Sequence, residues 1–263
     1  MTKKAKFAFT LAKGGHSPLL NGDGSRRLLL CGDEGAWSSP RLVKRGFTLA
    51  EVLITLGVIG VVAVVTMPTL VQHYKKQTTS ARLKKFYSTI QQAILRSEID
   101  NGLSKYWEFS PMVLNNEGNY DYDKNLPNTY NFVNKYITPY MNYNKITEGS
   151  YTPATETEEE AFENVRLYLS DGSTVKFFLG NCLDIRYDVN GDTLPNYSGQ
   201  DIFWFLLCFP PEPPARLGFQ TYNKYRYSDR NQALEACKSS PATCSVLLQY
   251  DNWEFKDDYP YKL

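Results

Sequence analysis

Histidine is scarce in this sequence, since only His16 and His73 occur among 263 residues. Ser-His-Asp and Cys-His sites need an imidazole as their base, and zinc sites commonly use several. No histidine lies beyond position 73, which excludes triads of these types from the C-terminal two thirds of the chain. No other nucleophile constellation stands out, and we predict that the protein is not an enzyme.

Excess charge is also lacking, because 29 basic and 28 acidic side chains leave a formal net charge of +1. Such a balance gives no global case for nucleic-acid binding. The mean hydropathy of −0.42 excludes a polytopic membrane protein. The charge is unevenly placed, since residues 1–46 carry nine Lys and Arg against three Asp and Glu. A basic leader therefore precedes a mildly acidic body, whose twenty basic residues face twenty-five acidic ones.

One long apolar run is present, and residues 52–72 contain no charged side chain. About 20 helical residues cross a hydrocarbon core of about 30 Å. Arg41, Lys44 and Arg45 precede the run, and basic flanks stay on the cytoplasmic side. We predict a single-pass protein of the cytoplasmic membrane, in contact with membrane lipid, whose C-terminal head lies outside in the periplasm or at the cell surface.

Two simpler interpretations of this run are a secretory signal peptide and a plain membrane anchor. A signal peptide has an apolar core of about 7–15 residues followed by a small-x-small cleavage site. Residues 66–70, with the sequence TMPTL, offer no such site. A plain anchor is compatible with the composition, but Glu51 argues against it, because a carboxylate in a membrane helix usually has a partner and a purpose.

The residues before Glu51 form a motif, KRGFTLAE at positions 44–51. It resembles the processing site of type IV prepilins and type II secretion pseudopilins. In that family a membrane peptidase cuts after the glycine and methylates the new N-terminal phenylalanine, and the glutamate is a hallmark. The resemblance implies cleavage between Gly46 and Phe47 and N-methylation of Phe47. It extends over the apolar helix to Pro68, where these helices commonly bend.

The resemblance implies a filament subunit whose partners are other pilin or pseudopilin subunits, the prepilin peptidase and an inner-membrane assembly platform. Cleavage would leave a free amine on Phe47 in the same first turn as Glu51. An unpaired charge is expensive in an apolar filament core, so the amine of one subunit can pair with the carboxylate of its neighbour. Pro68 removes one helical hydrogen bond and is predicted to bend or locally melt the helix.

The predicted fold is α+β and pilin-like, with a long N-terminal helix packed on a small antiparallel sheet. We expect a cleaved leader at 1–46, a membrane and assembly helix at 47–100 and a globular head at 101–263. The Gly- and Ser-rich stretch 14–40 is expected to be disordered. Residues 103–160 are expected to form loops with short helices.

Strand patterns are clearest around the turn sequence SDGS at 170–173, which predicts a β-hairpin. The predicted strands are 165–169, 174–178, 184–188, 202–208 and a last strand at 245–250, with a short helix at 231–238. Basic residues cluster just beyond the apolar run and are predicted to form a solvated helix face: Lys75, Lys76, Arg82, Lys84 and Lys85.

An oxygen-rich loop places Asp188, Asn190 and Asp192 at alternating positions, and Asp201 follows. Hard cations favour such loops, but Gly199 stands where an EF-hand would need its glutamate. The loop resembles the calcium-associated loops of major pseudopilins, which makes Ca²⁺ the one candidate cofactor. The alternative is a turn in which Asp and Asn bond their own backbone, and both interpretations stay open.

Five cysteines are present, and Cys31 lies in the leader. The other four form an even set in a domain predicted outside the cytoplasmic membrane, which fits disulfides. Four cysteines allow three connectivities. Cys237 with Cys244 closes a small loop and is the preferred pair, which leaves Cys182 with Cys208. A zinc site lacks CxxC spacing and histidines.

Three function classes remain open. The first is a structural subunit of a type IV pilus or type II secretion pseudopilus. The second is a filament-borne adhesin or DNA-uptake pilin, whose Tyr and Lys side chains could stack on a ligand. The acidic charge beyond residue 46 argues against nucleic acid, and we predict no such partner. The third is a plain anchored extracytoplasmic protein. The large head at 101–263 favours a minor rather than an abundant subunit.

Overall fold

The structure is a computed structural model that describes residues 46–151, 162–208 and 218–263. The chain divides into two units, Met1–Glu51 and Val52–Leu263. The first unit is described only from residue 46 onward. The disorder expected for residues 14–40 therefore lies outside the described residues.

The first element is the long helix α1, Leu49–Asn101. It ends at Gly102, whose φ of +77° is the left-handed conformation that commonly terminates helices. The end lies close to residue 100, the predicted limit of the membrane and assembly helix. The helix continues through Pro68 without interruption, although proline cannot donate the usual backbone hydrogen bond.

The N-terminal part of α1 is apolar and uncovered. Its most apolar 18-residue window has a mean hydropathy of 2.4, and none of that window is buried. Within the described ranges, α1 is the one helix long and apolar enough to cross a membrane, judged by length and composition. Soluble proteins seldom expose so large an apolar surface, so this part of α1 needs an apolar environment.

The described residues also contain an antiparallel meander in which each strand pairs with the next along the chain. Its strands are β1 Lys145–Tyr151, β2 Phe162–Tyr168, β3 Thr174–Leu179, β4 Leu183–Asp188, β5 Ile202–Cys208 and β6 Gly218–Thr221. The predicted hairpin is confirmed as β2–β3, with its turn closed by a hydrogen bond from the Gly172 N–H to the Leu169 carbonyl. The strands predicted at 184–188 and 202–208 are confirmed as β4 and β5.

The C-terminal part of α1 is a core helix. Its buried apolar side chains recur at helical spacing and belong to the same core cluster as the inward-facing side chains of the sheet. They are Leu83, Phe86, Ile90, Ala93 and Ile94. The ring of Tyr87 approaches those of Phe205, Phe219 and Trp253. The α+β, pilin-like layout predicted from the sequence is thus confirmed.

Residues 103–160 contain more regular structure than the predicted loops with short helices. Residues 103–160 contain a 15-residue helix, α2 at Tyr122–Tyr136, and strand β1. The Asp121 side chain caps α2 by accepting the Lys124 N–H, a start signal that the internal Pro127 obscured. Helix α3, Arg230–Ser239, is where a short helix was expected.

The strand predicted at 245–250 is wrong, because this segment is helix α4, Cys244–Tyr250. Its first five residues are all buried, so the alternation that distinguishes a strand is absent. A short apolar run of this kind fits either structure by periodicity alone.

Candidate functional site

The predicted cleavage site lies just before α1. Gly46 and Phe47 are not helical, and the Phe47 side chain is 87% exposed. A Cβ built at Gly46 would meet no other atom within 4 Å, so nothing in the described fold requires glycine there.

Glu51, the third residue of α1, forms a capping box at the start of the helix. Its Oε2 accepts hydrogen bonds from the Thr48 N–H at 2.8 Å and from Thr48 Oγ1 at 3.0 Å. In return the Glu51 N–H donates to Thr48 Oγ1 at 3.2 Å. This reciprocal pair satisfies backbone donors that the first helical turn leaves free.

The capping role of Thr48 was not predicted from the sequence, although the T-x-x-E spacing is typical of a capping box. Glu51 therefore has a structural role within its own chain, at the start of α1. Any experiment on Glu51 must separate the capping hydrogen bonds from the negative charge.

The acidic loop brings together three of its four predicted residues. Asp201 accepts hydrogen bonds from the N–H groups of Asn196 at 2.8 Å and Tyr197 at 2.7 Å. The amide of Asn190 donates to Asp201 at 3.2 Å, and its backbone N–H donates to Asp188 at 3.2 Å. The carboxylates thus organise the loop backbone, as the turn interpretation expects.

Asp192 stands apart from this cluster, because its carboxylate pairs with the buried guanidinium of Arg166. Among the described residues, no three His, Cys, Asp or Glu side chains converge as a metal site. A calcium ion would have to use Asp188, Asn190 and Asp201 with backbone carbonyls. The Oδ1 atom of Asn190 supports that arrangement, since it is buried and has no hydrogen-bond donor.

The buried carboxylates of Asp188 and Asp201 repel each other. Burial, together with the negative charge of Asp201, raises the pKa of Asp188 to about 8, while Lys176 and Arg166 oppose this shift. Burial also raises the pKa of Asp201, against the hydrogen bonds donated by Asn196 and Tyr197. A proton or a bound cation would relieve this repulsion.

The loop is joined to two other parts of the fold. The guanidinium of Arg82 on α1 donates to the Val189 carbonyl. Gly191 has a φ of +68°, and a Cβ at this position would collide with the carbonyl oxygen of Gly172 in the β2–β3 turn. The glycine is therefore required by the close approach of the two turns.

The four cysteines beyond the leader form two disulfides in the structure. Cys182 bonds Cys208 across the neighbouring ends of β4 and β5, with their Cα atoms 4.5 Å apart. Cys237 of α3 bonds Cys244 at the start of α4, with a Cα separation of 4.4 Å. Both pairs reduce the freedom of the unfolded head.

The basic residues after the apolar run fall into two groups, those that contact acidic or carbonyl groups of the head and those that do not. Arg82 bonds the acidic loop, and Lys85 forms an ion pair with Asp171 at 3.0 Å. In the parts of the chain that the structure describes, no carboxylate lies within ion-pair distance of Lys75, Lys76 or Lys84. Lys75 and Lys84 are exposed, as expected for a solvated face, whereas Lys76 is partly buried.

The N-terminal segment matches a family model. Residues 41–67 fit the prokaryotic N-terminal methylation motif, a range that includes Gly46, Phe47 and Glu51. This match confirms the resemblance drawn from the sequence. Motif and fold together define the class: the chain is a type IV pilin- or pseudopilin-like precursor with a single-pass membrane anchor.

The rest of the chain identifies its family. Residues 69–263 match the model of a family of unknown function, DUF6613. Because this match covers most of the chain, the protein belongs to that family. No curated protein and no solved structure matches the chain at a significant level.

Proposed function

We propose that this protein is a minor structural subunit of an extracytoplasmic filament, either a type IV pilus or a type II secretion pseudopilus. The observation that carries the proposal is the methylation motif at 41–67 joined directly to a helix whose apolar part is uncovered. An apolar helix of this kind is stable in a bilayer before assembly and among other such helices afterwards.

The processing pathway follows from the motif. The basic residues at 41–45 keep the leader on the cytoplasmic side, and the prepilin peptidase cuts after Gly46. Residues 1–46 are then lost, Phe47 is N-methylated, and residues 47–100 form the membrane and assembly helix. Residues 101–263 form the head on the outer side, where disulfides are stable.

Assembly relies on charge pairing at the start of α1. The new amine of Phe47 would lie next to the capping box, in which Glu51 is already oriented by Thr48. In the apolar core of a filament, the carboxylate of one subunit pairs with the amine of its neighbour. Loss of one partner from a buried ion pair costs about 3–5 kcal/mol, which is enough to keep a subunit out of the filament.

The size of the head supports a minor position. Among the described residues after α1, the head contains two disulfides and a six-stranded sheet. A bulky head suits a tip or a rare position better than a densely packed shaft. Immunogold labelling along purified filaments tests this, and uniform dense labelling would contradict a minor role.

The test of the assembly mechanism compares two substitutions that separate charge from capping. Glu51→Gln removes the charge and keeps an acceptor for Thr48, since glutamine also serves in capping boxes. Thr48→Val removes the hydroxyl of the cap and keeps the carboxylate. We expect Glu51→Gln to be cleaved and membrane-inserted but absent from filaments, and Thr48→Val to be incorporated.

The measurement is the amount of each tagged variant in sheared filament fractions relative to the membrane. Because a minor subunit has little effect on filament number, the assay follows the incorporation of the variant itself. Wild-type incorporation of Glu51→Gln would overturn the pairing mechanism, and failure of Thr48→Val alone would assign Glu51 to capping.

A further inference from the structure

A cleft with a volume of about 450 Å³ opens beside α1, just beyond the apolar run. Its helical wall carries His73, Lys76, Gln77, Ser80 and Lys84. His73, Gln77, Ser80 and Lys84 follow one another at spacings of three or four residues, and Lys76 lies next to Gln77, so the side chains project from one face of the helix. The wall thus presents two ammonium groups together with an imidazole, an amide and a hydroxyl.

The opposite wall belongs to the C-terminal segment of the head. Phe255 contributes an apolar surface and packs against Phe203 and Tyr259 of the core. Glu254 contributes a single carboxylate, which is exposed. The cleft therefore combines two lysines with one acidic group and has a net positive charge.

The two lysines of the cleft are not used by the fold. In the described ranges neither Lys76 nor Lys84 lies within ion-pair distance of a carboxylate, whereas the nearby Lys85 pairs with Asp171. Lys76 is also partly buried, although it has no ionic partner. A partly buried ammonium without a counter-ion favours binding of an anion.

Along the axis of α1, the cleft begins at the level expected for the membrane surface. At about 1.5 Å per residue, Lys76 lies about 6 Å beyond the end of the apolar run at Gln72. The headgroup layer on each side of a bilayer is about 5–7 Å thick. Lys84 stands two turns further out, about 12 Å beyond Lys76, so its ammonium lies outside the headgroup layer and adds positive charge at the outer end of the cleft.

From this juxtaposition we propose that the cleft binds the phosphate headgroup of an anionic phospholipid in the leaflet next to the head. Lys76 pairs with the phosphate. Gln77, whose Nε2 also contacts His73 Nε2 at 2.9 Å, donates its other amide hydrogen to the headgroup. Lys84 attracts the anion from outside the headgroup layer. The inference rests on the proposed insertion of residues 52–72 in the bilayer. A lipid is favoured over free phosphate because its acyl chains would lie along the same uncovered apolar helix.

The binding site distinguishes Lys76 from Lys75, and this supplies a matched control. Lys75 lies at the same height on α1 and has the same charge, but it does not line the cleft. General attraction to a negative membrane surface would weaken equally on loss of either lysine. A headgroup site would depend on Lys76 alone.

The experiment uses the full chain in mild detergent, with native mass spectrometry during titration with phosphatidylglycerol or phosphatidylcholine. We expect phosphatidylglycerol to be retained preferentially. Lys76→Gln should weaken its binding about fivefold, the effect of one lysine at the headgroup, whereas Lys84→Gln, outside the headgroup layer, should weaken it less than Lys76→Gln does. Lys75→Gln should change binding less than twofold, and Glu254→Gln should strengthen it by removing the like charge.

Three results would overturn the proposal. Equal retention of phosphatidylcholine, or equal losses for Lys75→Gln and Lys76→Gln, would show that no headgroup site exists. Displacement of the lipid by equimolar inorganic phosphate would assign the cleft to a free anion. Unchanged lipid binding with reduced self-association of Lys76→Gln would assign it to an acidic surface of a second copy.

Failure of the proposed function is recognised separately. Each variant is first reconstituted into bilayers and extracted with alkaline carbonate, which releases proteins that are not inserted. An inserted protein without selective lipid binding contradicts the headgroup site alone. A protein released by carbonate contradicts the membrane anchor itself, and with it the headgroup site.

Discussion

Phe86 of α1 and Tyr187 of β4 lie face to face, with ring centroids 4.0 Å apart and planes 4° from parallel. Both side chains are at most 2% exposed. Aromatic pairs contribute about 0.5–1.5 kcal/mol beyond the burial of their surface. The stack fixes the register of the helix on the sheet, so the C-terminal part of α1 is a structural part of the head.

Removal of this stack should weaken the head strongly. Phe86→Ala leaves a cavity against Tyr187 and should lower the free energy of unfolding by about 3–5 kcal/mol. The matched control is Leu95→Ala, since Leu95 is 61% exposed on the same helix and should change stability by less than about 0.5 kcal/mol. Urea denaturation of the detergent-solubilised protein measures both. Similar losses for the two variants would contradict the described packing of α1.

The two disulfides should differ in their contribution to stability. The Cys182–Cys208 loop spans 26 residues and the Cys237–Cys244 loop spans 7. Loop-closure entropy gives contributions of about 3.5 and about 2.4 kcal/mol, respectively. Paired Cys→Ala variants of each bridge, compared by denaturation midpoint, should therefore rank the longer loop first. Free thiols in addition to that of Cys31 in the folded, oxidised full-length protein would contradict one or both bridges.

From the acidic loop we predict that, in the absence of calcium, the stability of the folded protein falls as the pH rises. The pKa of Asp188 is raised from 3.8 to about 8 on folding, so between these values the folded chain retains a proton that the unfolded chain has lost. The stability contributed by this group is complete below about pH 4 and declines as the pH rises toward 8. Asp188→Asn should remove that decline, and Asp257→Asn, at an exposed position, should not.

Unfolding transitions from pH 4 to 8 in the presence of a chelator measure this effect. The wild type and Asp257→Asn should lose stability relative to Asp188→Asn as the pH rises. Parallel curves for all three proteins would show that the proton held at Asp188 does not contribute.

Calcium should reverse the same destabilisation if the loop binds it. A cation between Asp188 and Asp201 relieves their repulsion and uses the Oδ1 of Asn190, which has no donor. Binding to the folded state alone raises the melting temperature by mass action. We expect millimolar calcium to stabilise the chelator-treated wild type but not Asn190→Ala. An unchanged melting temperature in the wild type would favour the turn interpretation.

The contact that Asp192 makes in the structure differs from the role predicted for it from the sequence. Alternating spacing placed Asp192 among the calcium ligands, whereas the structure pairs its carboxylate with Arg166. The spacing of Asp192 along the chain could not reveal this ion pair, because Arg166 lies on β2 and comes close to the loop only when the sheet has formed. The loop was predictable from its composition, but the distribution of its carboxylates depends on tertiary contacts.

The same distinction applies to the fold. The long helix and the β2–β3 hairpin were predictable, because an uncharged run and an SDGS turn carry strong local signals. Helix α4 was predicted as a strand, because it is buried on all sides and lacks periodicity. The Thr48 cap was also predictable, because T-x-x-E is the ordinary sequence signature of a capping box.

The intact mass of the membrane-extracted protein tests the central claim most directly. The account predicts a mass that corresponds to residues 47–263 with two disulfides and one added methyl group on Phe47. Gly46→Leu provides the control, since a leucine in the peptidase subsite should block cleavage and leave the precursor. A wild-type protein that retains residues 1–46, or a Gly46→Leu protein of mature length, would contradict processing at this site.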